Sequence, residues 1–270
     1  MNARVLCCLS VLSLLFATGT TRAQDITIAV AGPMTGSVAT IGEQLRHGAE
    51  LAAEAINKNG GVGGKMIKIL VQDDACDPKQ AVAIANRIVS QGIKFVDGHA
   101  CSGSSIPAAE VYAEAGVLMM SPASSNPKLT EDAAKNGWMT IMRLYGRDDA
   151  QGKFIGPWIK DNYGTKKIAI LHDKSAYGKG LADVVKDSLN KAGVKEVLYE
   201  GINAGEKDYT AVVNRLRSAG VEFLYFGGYH TEAGLIKRQA GDQNYQFQLM
   251  MGDSLATPEF WSNRYNRLVN

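Results

Sequence analysis

The chain is short of the side chains that metal and redox chemistry uses. Its 270 residues hold four histidines and four cysteines. His47, His99, His172 and His230 show no i,i+4 or other metal-type spacing, which argues against a zinc site. An excess of one charge is missing too: 29 Lys and Arg stand against 27 Asp and Glu, and no Lys/Arg-rich block occurs. That balance argues against nucleic acid or an anionic membrane surface as partner. Long apolar runs are also scarce. The run from Val5 to Ala17 is shorter than the ~20 residues a membrane helix needs, and no later segment approaches that length.

What is present begins with an export signal. Arg4 opens a short basic start, the apolar run follows, and Thr21-Arg22-Ala23 puts small residues at both cleavage-site positions. Residues 1–23 are therefore expected to be removed before Gln24, giving an exported protein with no membrane insertion of its own. Cys7 and Cys8 lie inside the run and not at the cleavage point, which favours free release over a lipid-anchored cysteine. Loss of Arg4 and Arg22 lowers Lys+Arg from 29 to 27, equal to the 27 acids. Cys76 and Cys101 then remain, and an oxidising compartment allows one bridge between them, the alternative being two buried thiols.

From Gln24 onward, short β-rich runs alternate with amphipathic helices. Ile26 to Val30, Met66 to Val71, Phe95-Val96 and Leu118 to Ser121 read as strands. In the helix after the first strand, Leu45, Ala49, Ala52, Ala53 and Ile56 form an apolar face, with Arg46, Glu50, Glu54 and Lys58 on another. Asp77-Pro78 starts the next helix by cap chemistry. After Met139 to Gly146 the alternation resumes, with strands at Lys167 to Leu171, Glu196 to Tyr199, Val221 to Gly227 and Phe247 to Gly252. Repeated units of this kind imply right-handed crossovers and parallel sheets. Two successive runs imply an α/β chain of two doubly wound lobes, residues 24–142 and 143–270.

Lys94 to Ser105 is the organising stretch: a short strand breaks into Gly98-His99-Ala100-Cys101-Ser102-Gly103-Ser104-Ser105 and opens a helix at Ile106. Backbone N–H groups and hydroxyls at such a point can seat a carboxylate, although an ordinary capped turn looks the same. Polar turns at Ser102, Ser125, Tyr177, Tyr229 and Asp253 all follow strands, which brings them toward one cleft.

Several motifs carry no chemistry. Gly252-Asp253-Ser254-Leu255 matches a hydrolase nucleophile block as a string, but no histidine follows His230 to serve as base. Gly60 to Met66 has glycines and Lys65, yet it lacks phosphate-loop spacing and runs from helix to strand, so a hairpin-like connection is expected. Asp73 and Asp74 are adjacent on a strand and point to opposite faces, which suits structural hydrogen bonds better than paired acid and base. No constellation is able to make or break a covalent bond; the chain reads as a binding protein, not an enzyme, and without a cofactor.

The run Asp73-Asp74-Ala75-Cys76-Asp77-Pro78-Lys79-Gln80-Ala81-Val82 resembles the signature of the periplasmic leucine/isoleucine/valine-binding proteins of ABC importers. So do Gly92-Ile93-Lys94 leading to Gly98-His99-Ala100-Cys101-Ser102, His172-Asp173-Lys174 with Tyr177-Gly178, Gly201 to Tyr209, and Gly227-Gly228-Tyr229-His230. The resemblance spans about Gln24 to Trp261 and implies a hinged periplasmic binding protein of type I, with two doubly wound parallel-sheet lobes. It implies capture of a free amino acid of branched-chain type, handed as a monomer to ABC-transporter permease subunits. Ser102 and the Ser125 backbone would hold the α-carboxylate, while the Ala123 carbonyl, the Ser125 hydroxyl and Asp253 would hold the ammonium. Tyr177 and Tyr229 would wall the cleft, Cys76 and Cys101 match the family's disulfide, and Ile41 faces the ligand side chain where the family often has an aromatic residue. Relatives continue for roughly another third of their length beyond Trp261, so a lobe without its last strand and helices is expected. A receptor for another amino acid or amide, a sensory module, and a truncated copy without function remain as alternatives.

Overall fold

The computed structural model describes residues 24–261; the expected signal segment and the run after Trp261 lie outside them. Strand β1 (Ile26–Gly32) leads to α1 (Ala39–Lys58), β2 (Ile67–Asp73) to α2 (Pro78–Ser90), β3 (Phe95–Gly98) to α3 (Ser102–Glu114), and β4 (Leu118–Ser121) to α4 (Lys128–Asn136). Strand β5 (Ile141–Arg143) closes this first run. The second run comprises α5 (Asp148–Tyr163), β6 (Ile168–His172), α6 (Ala176–Lys191), β7 (Leu198–Gly201), α7 (Thr210–Ser218), β8 (Phe223–Gly227), α8 (His230–Asp242) and β9 (Gln248–Met251). A 3₁₀ turn over Asp253–Leu255 and the short α9 (Pro258–Trp261) follow.

Local chemistry sets these boundaries. Asp77 caps α2 by accepting from the Gln80 N–H at 2.8 Å, with Pro78 in the first turn where its missing N–H costs nothing. Ser175 caps α6 by accepting from the Gly178 N–H at 2.8 Å. The Gly60 region forms the expected reversal, with Val62 bridged to Lys65. Helix α3 starts at Ser102, four residues before the expected Ile106, and runs on through Pro107 in its second turn. Helix α4 was not foreseen; its polar sequence carries only Leu129 and Ala133 to the core, and Gly137 ends it in a left-handed conformation.

Among the described residues the strands form two wholly parallel sheets, ordered β2-β1-β3-β4-β5 and β7-β6-β8-β9. Each sheet reverses direction of growth beside its first strand, between β1 and β3 and between β6 and β8. Such reversals open a crevice beyond the carboxyl ends of the strands. In the second sheet, β6 and β8 are buried on both faces, which explains their unbroken apolar sequences. Ile170, Leu181 and Tyr225 pack on one side, and Leu171, Val213 and Phe226 on the other. The first sheet packs Ala29, Val96 and Met119 against Ala85, Ile88 and Tyr112.

The apolar face expected on α1 is only partly realised. Gly42 and Ala53 are buried, but Ala52 and Ile56 are exposed, as is Leu51 at 66%. The helix packs chiefly on β1 and β2, and Phe95 of β3 and Met142 of β5 are exposed on the first sheet. The charge ladder is present, with Arg46 on Glu50 at 3.0 Å and Lys58 on Glu54 at 2.7 Å. Among the described residues no helix is long and apolar enough to cross a membrane.

Candidate ligand-binding site

The carboxyl ends of the strands meet around a cavity of about 250 Å³. Its lining includes all seven residues singled out in the sequence: Ser102, Ala123 and Ser125 from the first sheet's turns, Tyr177, Tyr229 and Asp253 from the second's, and Ile41 from the start of α1. Ser102 and Ser125 are buried, Tyr229 is half-buried, and Asp253 is exposed to the cleft.

A web of serines fixes the first wall. Hydroxyls of Ser105, Ser121 and Ser124 all donate to the His99 carbonyl, at 2.9, 2.6 and 3.2 Å. This ties the turn after β3 to the turn after β4. Ser102 Oγ accepts from the Asn126 N–H at 3.2 Å, holding the start of α3 against the same turn. Arg143 of β5 donates to the Ser124 and Asn126 carbonyls at 3.2 and 3.0 Å from below. At Gly98 the backbone passes so close to β1 that a Cβ would lie 2.2 Å from the Ala31 carbonyl oxygen, at a φ of +146° that favours glycine.

The expected bridge is formed: Cys76 and Cys101 are disulfide-bonded, with Cα atoms 5.6 Å apart, joining the loops after β2 and β3. Beneath it, fully buried His99 pairs through Nδ1 with Asp74 Oδ2 at 2.6 Å and through Nε2 with the Tyr112 hydroxyl at 3.1 Å. Asp73 accepts from the Met34, Thr35 and Ala75 N–H groups and from the Thr35 hydroxyl. Both aspartates thus make structural hydrogen bonds, although only Asp73 belongs to β2; Asp74 follows it in the loop.

The second wall is aromatic. Tyr177 and Tyr229 rings stand 5.3 Å apart, and the Tyr229 hydroxyl reaches across to lie 3.5 Å from Cys76 Sγ. Burial pushes both phenols above their ordinary range, so they stay protonated donors. The Tyr177 hydroxyl lies 3.2 Å from both Asp253 Oδ1 and Ser254 Oγ. Further links join the walls: Asn126 Nδ2 donates to the Ala176 carbonyl at 2.6 Å, and Thr231 Oγ1 to the Ser37 carbonyl at 3.1 Å.

Beyond those seven, the lining includes Gln44, Tyr145, Ser254 and Thr257. Tyr145 follows β5 directly, so the rule that selected the other turns, polar residues just past a strand, selects it as well once β5 is recognised. Ser254 has no hydrolytic partner; its hydroxyl donates to the Gly228 carbonyl at 2.6 Å, and no histidine lines the cavity. His230 pairs instead with Glu259, at 3.0 Å. Behind the wall, the Asp148 N–H donates to the Ser125 carbonyl at 3.0 Å. Burial pushes the Asp148 carboxyl up to about 6, and a hydrogen bond with Ser125 opposes that rise. No cluster of three or more His, Cys, Asp or Glu suited to a metal occurs among the described residues.

The arrangement can hold a zwitterion. Hydroxyls and the amino end of α3 offer donors on one wall, and Asp253 offers negative charge on the other.

The chain is similar to several known proteins. Residues 25–262 match the family model described as periplasmic binding protein. A Leu/Ile/Val-binding protein homolog of Brucella abortus is 48% identical over 248 residues, 92% of this chain and 66% of the relative. A leucine-, isoleucine-, valine-, threonine- and alanine-binding protein of Pseudomonas aeruginosa is 46% identical over 244 residues, 90% of this chain and 64% of the relative. Among solved structures, the branched-chain amino acid transporter substrate binding protein of Streptococcus pneumoniae, in complex with isoleucine, superposes with a TM-score of 0.73 at 26% identity. It covers 86% of this chain and 65% of its own. The chain spans 62 to 66% of the length of the curated relatives it matches.

Proposed function

The chain belongs to the periplasmic binding protein family, and on that premise we propose that it captures a free amino acid of branched-chain type outside the cytoplasm and delivers it to the permease subunits of an ABC importer. The observation that carries the reading is the meeting of Ser102, Ser125, Ala123 and Asp253 around one cavity between two sheets. Ser102 and the Ser125 backbone N–H receive the α-carboxylate, backed by the amino end of α3. The Ala123 carbonyl, the Ser125 hydroxyl and Asp253 receive the ammonium. Ile41 meets the ligand side chain, and Tyr177 and Tyr229 cover it as the lobes close.

Chemistry is absent from this cycle; its energy comes from closure. Charge-assisted hydrogen bonds contribute roughly 1.5–3 kcal/mol each, so a few of them supply the ~8 kcal/mol of micromolar affinity. The chain between Arg143 and Asp148 joins the two sheets and acts as hinge, absorbing the rotation of one lobe on the other. The working form is a monomer, a reading supported by a cavity lined wholly by residues of one chain.

The test is calorimetric titration of the purified chain with leucine, isoleucine, valine, threonine and alanine, repeated on Ser102→Ala. Binding of at least one, weakened about tenfold or more by Ser102→Ala, is expected. Absence of binding by all five would overturn the reading.

A further inference from the structure

We propose that Tyr145 sets the length of side chain the cleft accepts and steadies the carboxylate that receives the ammonium. The inference rests on the amino-acid reading of the cavity.

Tyr145 lies on the crossing between the sheets and lines the cavity. It is held there from both sides. Leu144 donates its N–H to the Ser121 carbonyl at 3.0 Å, and Asp148 donates to the Ser125 carbonyl at 3.0 Å, so the backbone on either flank is pinned to the turn after β4. From that anchor the Tyr145 hydroxyl spans to the opposite lobe and donates to Asp253 Oδ2 at 2.9 Å. Burial and the Asp253 carboxylate push the Tyr145 phenol up to about 12, so it donates at any ordinary pH.

Asp253 is therefore held by two phenols, Tyr145 on Oδ2 and Tyr177 on Oδ1 at 3.2 Å. A carboxylate offers about four acceptor positions, so an ammonium can join without displacing either tyrosine. The two hydroxyls fix the direction in which the remaining lone pairs point.

Position then dictates selectivity. In an amino acid the side chain leaves the same carbon that carries the ammonium. A ring beside the ammonium's carboxylate therefore stands near the carbon from which the side chain starts. With Tyr145 on one side and Ile41 and Thr257 also lining the space, longer side chains meet the ring first. Tyr145 thus tilts the pocket toward the shorter aliphatic amino acids.

The experiment titrates the purified full chain, Tyr145→Phe and Tyr145→Ala with alanine, valine, leucine and phenylalanine. Tyr145→Phe keeps the ring and drops the hydroxyl, so all four ligands should weaken by about fivefold to tenfold with their ratios unchanged. Tyr145→Ala removes the ring, so the ratio of leucine to alanine affinity should move about tenfold or more toward leucine, the scale on which pockets discriminate methylenes. Tyr145 is 42% exposed, so neither variant opens a core cavity. Should the alanine variant fail to melt cooperatively, Tyr145→Leu takes its place with the same direction expected. Wild-type binding with ratios unmoved by ring removal overturns the inference alone. A wild-type chain that binds none of the four overturns the receptor reading, and the inference falls with it.

Discussion

Gly178 and Gly227 exclude side chains from each other's positions. A Cβ on Gly178 would lie 2.4 Å from the Gly227 carbonyl oxygen, and a Cβ on Gly227 would lie 2.1 Å from the Gly178 carbonyl oxygen. The first turn of α6 therefore rests backbone to backbone on the end of β8, and Tyr177, next to Gly178, is aimed by that contact. Gly178→Ala should cost about 2–3 kcal/mol, the upper range for overpacking, because backbone on both sides has nowhere to move. Chemical denaturation checks this; a loss below about 0.5 kcal/mol would mean that α6 slides freely on β8.

The disulfide makes a prediction of its own. Cys76 and Cys101 close a loop with a sequence separation of 25, for which chain entropy gives about 3–4 kcal/mol. Replacing both by alanine should lower stability by that order without changing the strand content seen by circular dichroism. It should also loosen the wall that Tyr229 touches, since Cys76 Sγ is 3.5 Å from its hydroxyl.

Much of this architecture was legible in the chain because two periodicities seldom conflict. Strands such as Ile168–His172 and Phe223–Gly227 are apolar throughout, and helices such as Ala176–Lys191 carry apolar residues at helical spacing. Helix α4 was hidden because its sequence, Lys128 to Asn136, is polar apart from Leu129 and the alanines; tertiary contact, not propensity, makes it a helix. The face on α1 was misjudged for the opposite reason. Its periodicity is real, but burial depends on what lies opposite, and β1 with β2 offers cover for only part of it. The seven site residues came from polar turns after strands together with family resemblance. Tyr145 escaped because β5 has only three residues and reads as connector.

The pair of Asp74 and His99 should behave as a unit. Both are fully buried, and their 2.6 Å contact is the main polar partnership of each in the core beneath the bridge. Asp74→Ala leaves His99 Nδ1 without a partner and should cost about 3 kcal/mol or more. His99→Leu combined with Asp74→Ala should cost less than the sum of the two single changes. Denaturation of the four chains in a double-mutant cycle measures the difference; strict additivity would mean that the contact contributes nothing.

Stability should fall between about pH 4 and pH 6, and Asp97 supplies part of that slope. Burial pushes its carboxyl up to about 6 from an ordinary 3.8. Between those values the folded chain keeps a proton that the unfolded chain has released. The folded state therefore binds more protons, and stability declines as pH rises through this window, then levels off above it. Asp148 and Asp173, also pushed up to about 6 by burial, act with the same sign. Asp149 acts the other way: the Arg147 guanidinium holds it near about 2, and its contribution is lost only below pH 4. Asp97→Asn removes one ionisable group without changing its shape. The variant should be more stable at pH 7 by about 1–2 kcal/mol, after allowance for Asp97's partial contact with water, a rise of about 2–6 °C in the melt. At pH 4 the two chains should melt within about a degree of each other. An equal shift at both pH values would show that the amide stabilises by packing and that the Asp97 charge is not the cause.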